Sequence, residues 1–235
     1  MKAILGVMGI CLMPVTTVAE SKASQLPIEK GLYLDLNANM GVDLEDGNRV
    51  KAWRNQVSGN AADVFVKQDK GRKLAGSGRP TLKKKVKKLN GHNTLVFKEQ
   101  ELINMNEDAF DHMVTGSGYS WLSVMCVYKQ HVGKKDVNSF FGNLRNGAPY
   151  EGFWGNLMDD NRVWMGTRNG IKTKGKPGLW HKRLNPCVVS KKPIAENQYY
   201  LIMGRMGAGK KVVDLELFIN SATPVDRKSV PVSKK

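Results

Sequence analysis

Among the four histidines and six tyrosines of the 235-residue sequence, His131, His181 and Tyr199 are the candidates for moving a proton at neutral pH. A histidine titrates close to neutrality and can act as a base, and a tyrosine hydroxyl can act as an acid. Cleavage of a uronate polymer by elimination needs both, together with a cation or amide that neutralises the sugar carboxylate. These residues are therefore the candidate catalytic residues under the hypothesis that the protein is a polysaccharide lyase acting on an acidic polymer.

A second group of side chains is suited to binding sugars without reaction. Trp154 and Trp180 have aromatic faces that can stack on sugar rings, and Arg145 and Arg168 have guanidinium groups that can grip a carboxylate or sulfate in two-point geometry. These four residues are the predicted glycan contacts. The neighbouring Trp164, within an apolar run, is expected to fill the core.

One pair of carboxylates on a predicted strand has a spacing that would suit glycoside hydrolysis. Asp214 and Glu216 alternate with apolar residues, which would place both on one face of a strand, about 7 Å apart from the strand rise. The same pattern is the ordinary result of a half-buried strand. The glycine-rich run 204–211 approaches a phosphate-binding loop, but Lys211 stands where a hydroxyl is required and a strand pattern follows, so we predict a hairpin turn.

Metal and thiol chemistry are weakly indicated. Asp35, Asp43 and Asp46 could contribute oxygen ligands to a calcium ion, but no dense loop signature is present, and no cofactor or other metal is expected. Cys126 and Cys187 could form one disulfide in an oxidising compartment or stay as two buried thiols, and the sequence leaves both open.

The charge predicts an acidic partner. The chain has 37 Lys and Arg against 21 Asp and Glu, a net charge of +16, with five lysines in the run 83–88. Because the N-terminus reads as a secretion signal, this charge favours an anionic polysaccharide or cell-surface glycan and not a nucleic acid. The lysine run itself is expected to be a solvated loop or edge strand, with an anionic-ligand patch as the alternative.

The segments that must position these residues have a period of two. Eight runs are rich in β-branched or aromatic residues and are predicted strands: 33–36, 49–53, 94–97, 121–128, 139–141, 162–165, 199–203 and 212–219. Glycine- and asparagine-rich turns separate them, and only 106–113 reads as a helical turn. The pattern predicts an all-β, antiparallel β-sandwich or jelly roll.

The N-terminal segment has the layout of a signal peptide. Lys2 precedes an apolar run that ends in small residues at 17–19. We expect residues 1–19 to be cleaved, residues 20–30 to be a linker and residues 31–235 to be the folded domain, in a secreted or periplasmic protein. No other window is long and apolar enough for a membrane span.

Several motifs together resemble a known family. Val50 to Trp53 gives a V-x-x-W strand before a Ser-Gly-Asn turn, residues 90–97 give an NG-x-x-x-L-x-F strand, and residues 215–220 end a hairpin in L-x-x-x-IN. In this order they are similar to secreted bacterial laminin-G-like domains of the concanavalin A-like jelly-roll superfamily. The resemblance covers residues 31–224 and implies the fold more than an activity. Members continue with further closing strands, so a fragment truncated at its C-terminus is expected.

The leading expectation is therefore a secreted carbohydrate-binding module for an anionic glycan. The lyase acting in a jelly-roll groove is the alternative, and a structural module without a ligand is the third reading.

Overall fold

The computed structural model describes residues 30–67, 78–106, 108–130, 139–144, 151–169 and 186–232. The chain divides into two compact units, Met1–Leu32 and Tyr33–Lys235. Of the first unit only residues 30–32 are described, and they form part of a turn. The second unit contains every strand given below.

The described residues form thirteen strands, and all their pairings in the three sheets are antiparallel. In chain order they are β1 (Val42–Glu45), β2 (Arg49–Arg54), β3 (Val64–Val66), β4 (Thr81–Lys83), β5 (Thr94–Val96), β6 (Tyr119–Cys126), β7 (Ser139–Leu144), β8 (Glu151–Leu157), β9 (Arg162–Asn169), β10 (Cys187–Pro193), β11 (Tyr199–Met206), β12 (Val212–Ile219) and β13 (Asp226–Pro231). Three short 3-10 turns lie at Asp46–Asn48, Lys87–Leu89 and Asp111–Val114.

The strands are arranged in three sheets. The first sheet has the order β1-β2-β4-β5, with β3 also paired to β2. The second sheet has the order β10-β9-β8-β7, and the third has the order β13-β12-β11-β6. The molecule is thus an all-β protein of antiparallel sheets, consistent with a β-sandwich.

The main core lies between the second and third sheets. Val163 and Met165 of β9 meet Leu215 and Leu217 of β12 and Ile202 of β11 in one cluster, and all five are fully buried. Because side chains alternate along a strand, burying these residues turns their neighbours to the other side of the third sheet. That other side, called here the outer face, carries Tyr199, Leu201, Met203 and Arg205 of β11.

Two glycines, one in the second sheet and one in the third, are required by the side chains packed against them. A Cβ on Gly204 would overlap the Trp121 indole and the Met165 sulfur, and a Cβ on Gly166 would overlap the ring of Trp154. Both positions let an aromatic ring lie directly against the backbone, which only glycine permits.

Seven of the eight predicted strands are strands in the structure. The predicted strand at residues 33–36 is wrong, because these residues form no strand in the structure. Tyr33 is held instead by its hydroxyl, which donates to the Ala109 carbonyl at 2.5 Å. The helical turn was predicted at 106–113, and the structure places a 3-10 turn at Asp111–Val114. The glycine-rich run after Gly204 is confirmed as a hairpin turn, because it joins β11 to β12. Within the described ranges, no helix has the length and apolar composition needed to cross a bilayer.

Candidate functional site

The best candidate for a ligand site lies where β6 ends and β11 begins. Tyr199 is the first residue of β11 and pairs with Cys126, the last residue of β6. The turn before β11 is held to the segment that follows β6, because the Asn197 amide donates to the Val127 carbonyl at 2.7 Å and Glu196 accepts from the Gln130 amide at 2.9 Å. The backbone at this corner is therefore fixed by several independent bonds.

The lysine run supplies a cation to this corner. Lys88 Nζ donates to the Asn197 carbonyl at 2.9 Å and so joins the loop between β4 and β5 to the turn before β11. The 83–88 run is ordered by Val86, whose side chain is buried and whose amide donates to the His92 carbonyl at 2.9 Å. With Val86 turned inward, the five lysines of the run are all exposed.

Together these elements border an open, shallow cleft of about 510 Å³. It is lined by Lys88, Glu196, Asn197, Gln198 and Tyr199 and is called here the lysine–tyrosine cleft. It offers an ammonium group, an aromatic ring and amides at one place. Such a set can pair with a carboxylate or sulfate, stack on a sugar ring and bond to hydroxyl groups.

The electrostatics of the cleft keep its tyrosine neutral. Burial raises the pKa of the Tyr199 phenol, the nearby Tyr128 and Cys126 raise it further, and a hydrogen bond with Thr94 opposes them. Tyr199 is therefore a protonated hydroxyl at neutral pH, able to donate a hydrogen bond or a proton but not to serve as a base.

Two lysines of the 83–88 run lie close enough to Cys126, the last residue of β6, to act on its thiol. Burial raises the pKa of the Cys126 thiol, while Lys88 and Lys83 act in the opposite direction because a cation favours the thiolate. Two lysines of the run therefore act on the outer face beside Tyr199. Cys126 and Cys187 are both free thiols in the structure.

Of the predicted catalytic residues, only Tyr199 lies within the described part of the chain, and it lines the cleft. His131 and His181 lie outside the described residues. Their part in a lyase site stays a prediction.

Two of the four predicted glycan contacts, Trp154 and Arg168, lie within the described residues. Trp154 is 3% exposed and packs edge-on against Trp164 with the ring centres 5.5 Å apart, and Arg168 of β9 is 5% exposed. Neither residue lines the lysine–tyrosine cleft. Arg145 and Trp180 lie outside the described residues, so the four-residue glycan set stays a prediction.

Both members of the predicted carboxylate pair, Asp214 and Glu216, accept hydrogen bonds from neighbouring side chains. Glu216 is buried and accepts from Arg205 Nε and from Arg227 Nε, both at 2.6 Å, so that one arginine occupies each oxygen. Asp214 is exposed and accepts from the Ser229 hydroxyl at 3.0 Å. Both oxygens of Glu216 are thus engaged by arginines, so Glu216 does not provide the second free carboxyl group that glycoside hydrolysis requires.

The calcium candidates are not gathered into a site. Asp43 Oδ2 accepts from Arg54 Nε at 3.0 Å, and Asp35 is partly buried, which raises its pKa. Among the described residues, which include Asp46, no group of three or more acidic, histidine or cysteine side chains is placed to hold a metal.

A larger cavity of about 620 Å³ lies elsewhere, lined by Asn60, Asp63, Asn104, Met105 and Asn106 among others. Its amides are largely occupied by the backbone: Asn60 Nδ2 donates to the Tyr33 carbonyl at 2.9 Å and Asn104 Nδ2 donates to the Val64 carbonyl at 3.0 Å. None of its described lining residues is a cation, so we favour the lysine–tyrosine cleft although that cleft is smaller.

Sequence reasoning identified Tyr199 and the lysine run separately and missed that they meet. It also missed Glu196, Asn197 and Gln198, which have no motif of their own. The short polar stretch directly before the predicted strand 199–203 was the available signal. Comparison of the sequence with models of known protein families and with curated proteins gave no match.

Proposed function

We propose that the chain is a secreted carbohydrate-binding module with a laminin-G-like jelly roll. Its ligand is an anionic polysaccharide or cell-surface glycan, held in the lysine–tyrosine cleft. The observation that carries the proposal is that Lys88 and Tyr199 line one cleft beside the exposed lysine run. Lysine ammonium groups attract the acidic groups of the polymer, and the tyrosine ring packs on a sugar face.

The net charge of +16 supports the same class of ligand. It would attract a polyanion over a distance of about a Debye length, near 10 Å at 0.1 M salt. The cleft then provides the local contacts that distinguish a specific site from general attraction.

The test is affinity electrophoresis in gels that contain alginate or chondroitin. We expect the parent to be retarded, the retardation to weaken as salt is added, and the variants Lys88→Gln and Tyr199→Ala to lose most of it. The matched control is Lys228→Gln, which removes the same charge from an exposed lysine of β13, three strands away from β6. If Lys228→Gln and Lys88→Gln weaken retardation equally, binding depends on net charge alone and the cleft is not the site.

The lyase remains the second candidate because the cleft holds a neutral tyrosine able to donate a proton. Incubation with alginate, ulvan, glucuronan and chondroitin would reveal it through the ultraviolet absorbance of the unsaturated product. Retardation without new absorbance would favour the binding module.

A further inference from the structure

An apolar strip lies exposed on the outer face of the third sheet. Leu201 of β11 stands opposite Val124 of β6, and Met203 stands opposite Leu122. Leu122, Val124 and Leu201 are 60%, 53% and 43% exposed. Facing pairs on adjacent strands have Cβ atoms only about 5 Å apart, so these side chains form one continuous surface, called here the apolar strip.

Cations stand at both ends of the apolar strip. Tyr199 and the lysine run lie at one end, where Lys88 and Lys83 act on Cys126. At the other end Arg205 and Arg227, 51% and 55% exposed, both pair with the buried carboxylate of Glu216, and the exposed Asp214 lies beside them on the same face. From Tyr199 to Arg205 is six residues of strand, about 20 Å.

We propose that this outer face docks on an anionic lipid surface. The aliphatic side chains of the apolar strip enter the boundary between head groups and acyl chains, and the cations at the two ends pair with anionic head groups. An anionic leaflet attracts lysine and arginine side chains that lie near its surface. The proposal does not depend on the cleft binding a glycan.

The composition of the face favours lipid over a protein partner. Protein interfaces concentrate their binding energy in tryptophan, tyrosine and arginine at the centre, with leucine and valine under-represented. Here the centre is aliphatic and the tyrosines, Tyr199 and the 44% exposed Tyr128, lie at the end. A ring with a polar tip suits the level where apolar and wet regions meet.

The test measures co-sedimentation of the full chain with lipid vesicles. One set contains equal parts phosphatidylglycerol and phosphatidylcholine, and the other contains phosphatidylcholine alone. The double variant Leu122→Thr/Val124→Thr places β-branched residues suited to a strand at both positions but removes the apolar surface. The control is Leu44→Thr/Met105→Thr, which alters two exposed apolar residues outside the third sheet.

We expect the parent and the control to bind the anionic vesicles and to bind phosphatidylcholine poorly. The strip variant should bind the anionic vesicles at least tenfold more weakly, equivalent to about 1.4 kcal/mol, with an unchanged melting temperature. The N-terminal apolar run is the same in all of these proteins, so the difference reports the strip.

Three results would overturn the proposal. The first is a strip variant that binds anionic vesicles as tightly as the parent, which would leave only general attraction of charge. The second is no sedimentation of the parent with either vesicle. The third is a dimer of the parent that the strip variant loses in light scattering, since a second copy would then cover the face. Retardation of the strip variant in alginate gels tests the cleft separately, because the strip residues do not line it.

Discussion

Glu216 offers a sharp test of how the third sheet is held together. Its side chain is 1% exposed and receives Arg205 on one oxygen and Arg227 on the other. The change Glu216→Gln keeps the size of the side chain but replaces one oxygen by an NH₂ group. That group then faces a guanidinium, and a donor stands against a donor.

The expected cost lies between two limits. Removing one partner from a fully buried ion pair costs about 3–5 kcal/mol. Exposed pairs contribute at most about 1 kcal/mol. Because both arginines are half-exposed and can regain water while the carboxylate is buried, we expect a loss of about 2 kcal/mol in the free energy of unfolding. For a domain of this size that is a fall of about 4–8 °C in melting temperature.

The assay is differential scanning calorimetry at low and high salt, with Asp214→Asn as the control. Asp214 lies on the same strand and the same face, but it is exposed, and its carboxylate accepts from the Ser229 hydroxyl and not from an arginine in the described part of the chain. We expect the control to change stability by less than about 0.5 kcal/mol. Equal shifts for the two variants would refute the reasoning, since burial between two arginines would then contribute nothing.

Two further predictions concern a glycine and a thiol. Gly204→Ala places a methyl group against the Trp121 indole and should lower the free energy of unfolding by about 1–3 kcal/mol, measured by calorimetry. The control Gly207→Ala should be tolerated, because the atoms nearest to its new methyl group are 3.7 Å away. Similar melting temperatures for the two variants would contradict this prediction. Cys126 should be alkylated slowly at neutral pH because burial raises its thiol pKa, and Lys88→Gln should raise that pKa further, which moves the rate–pH curve to higher pH. Mass spectrometry measures the rate, and a disulfide in the purified protein or a curve unmoved by Lys88→Gln would overturn the assignment.

The strands that the sequence predicted are those whose apolar residues alternate against the core. Residues 33–36 have the same composition but are not paired, because side chains satisfy their backbone: the Asp35 amide donates to Asn55 Oδ1 at 2.8 Å, and the Asn55 and Asn60 amides donate to the Tyr33 carbonyl. Local composition cannot reveal that side chains 20 or more residues away replace a partner strand.

Two of the strands that the sequence missed, β8 and β13, lack that alternation. β8 contains Gly152 and Gly155, and a Cβ on Gly155 would overlap the ring of Phe140, so the glycine that lowers strand propensity is the one that packing requires. β13 lies at the edge of its sheet and is mostly polar, as edge strands commonly are.

The candidate site could be predicted only in part, because it too depends on contacts between residues far apart in the sequence. The chemistry of Tyr199 and of the lysine run is evident from residue type, but their meeting depends on the Lys88 bond to Asn197 across more than a hundred residues of chain. The burial of Trp154 was equally hidden, because it depends on Gly166 lying opposite in the register of β8 and β9.

The row Arg205, Glu216 and Arg227 also bears on the order of folding. Each ion pair joins residues only 11 positions apart, across the two hairpins β11–β12 and β12–β13. β6 can join β11 only after the whole chain from Val127 to Gln198 has been brought round. Because local contacts have the smaller loop-closure entropy, the row favours early formation of the β11–β12–β13 meander in its native register. A slip of one residue would turn Arg227 to the other face, so the meander presents β6 with an edge whose register is already fixed.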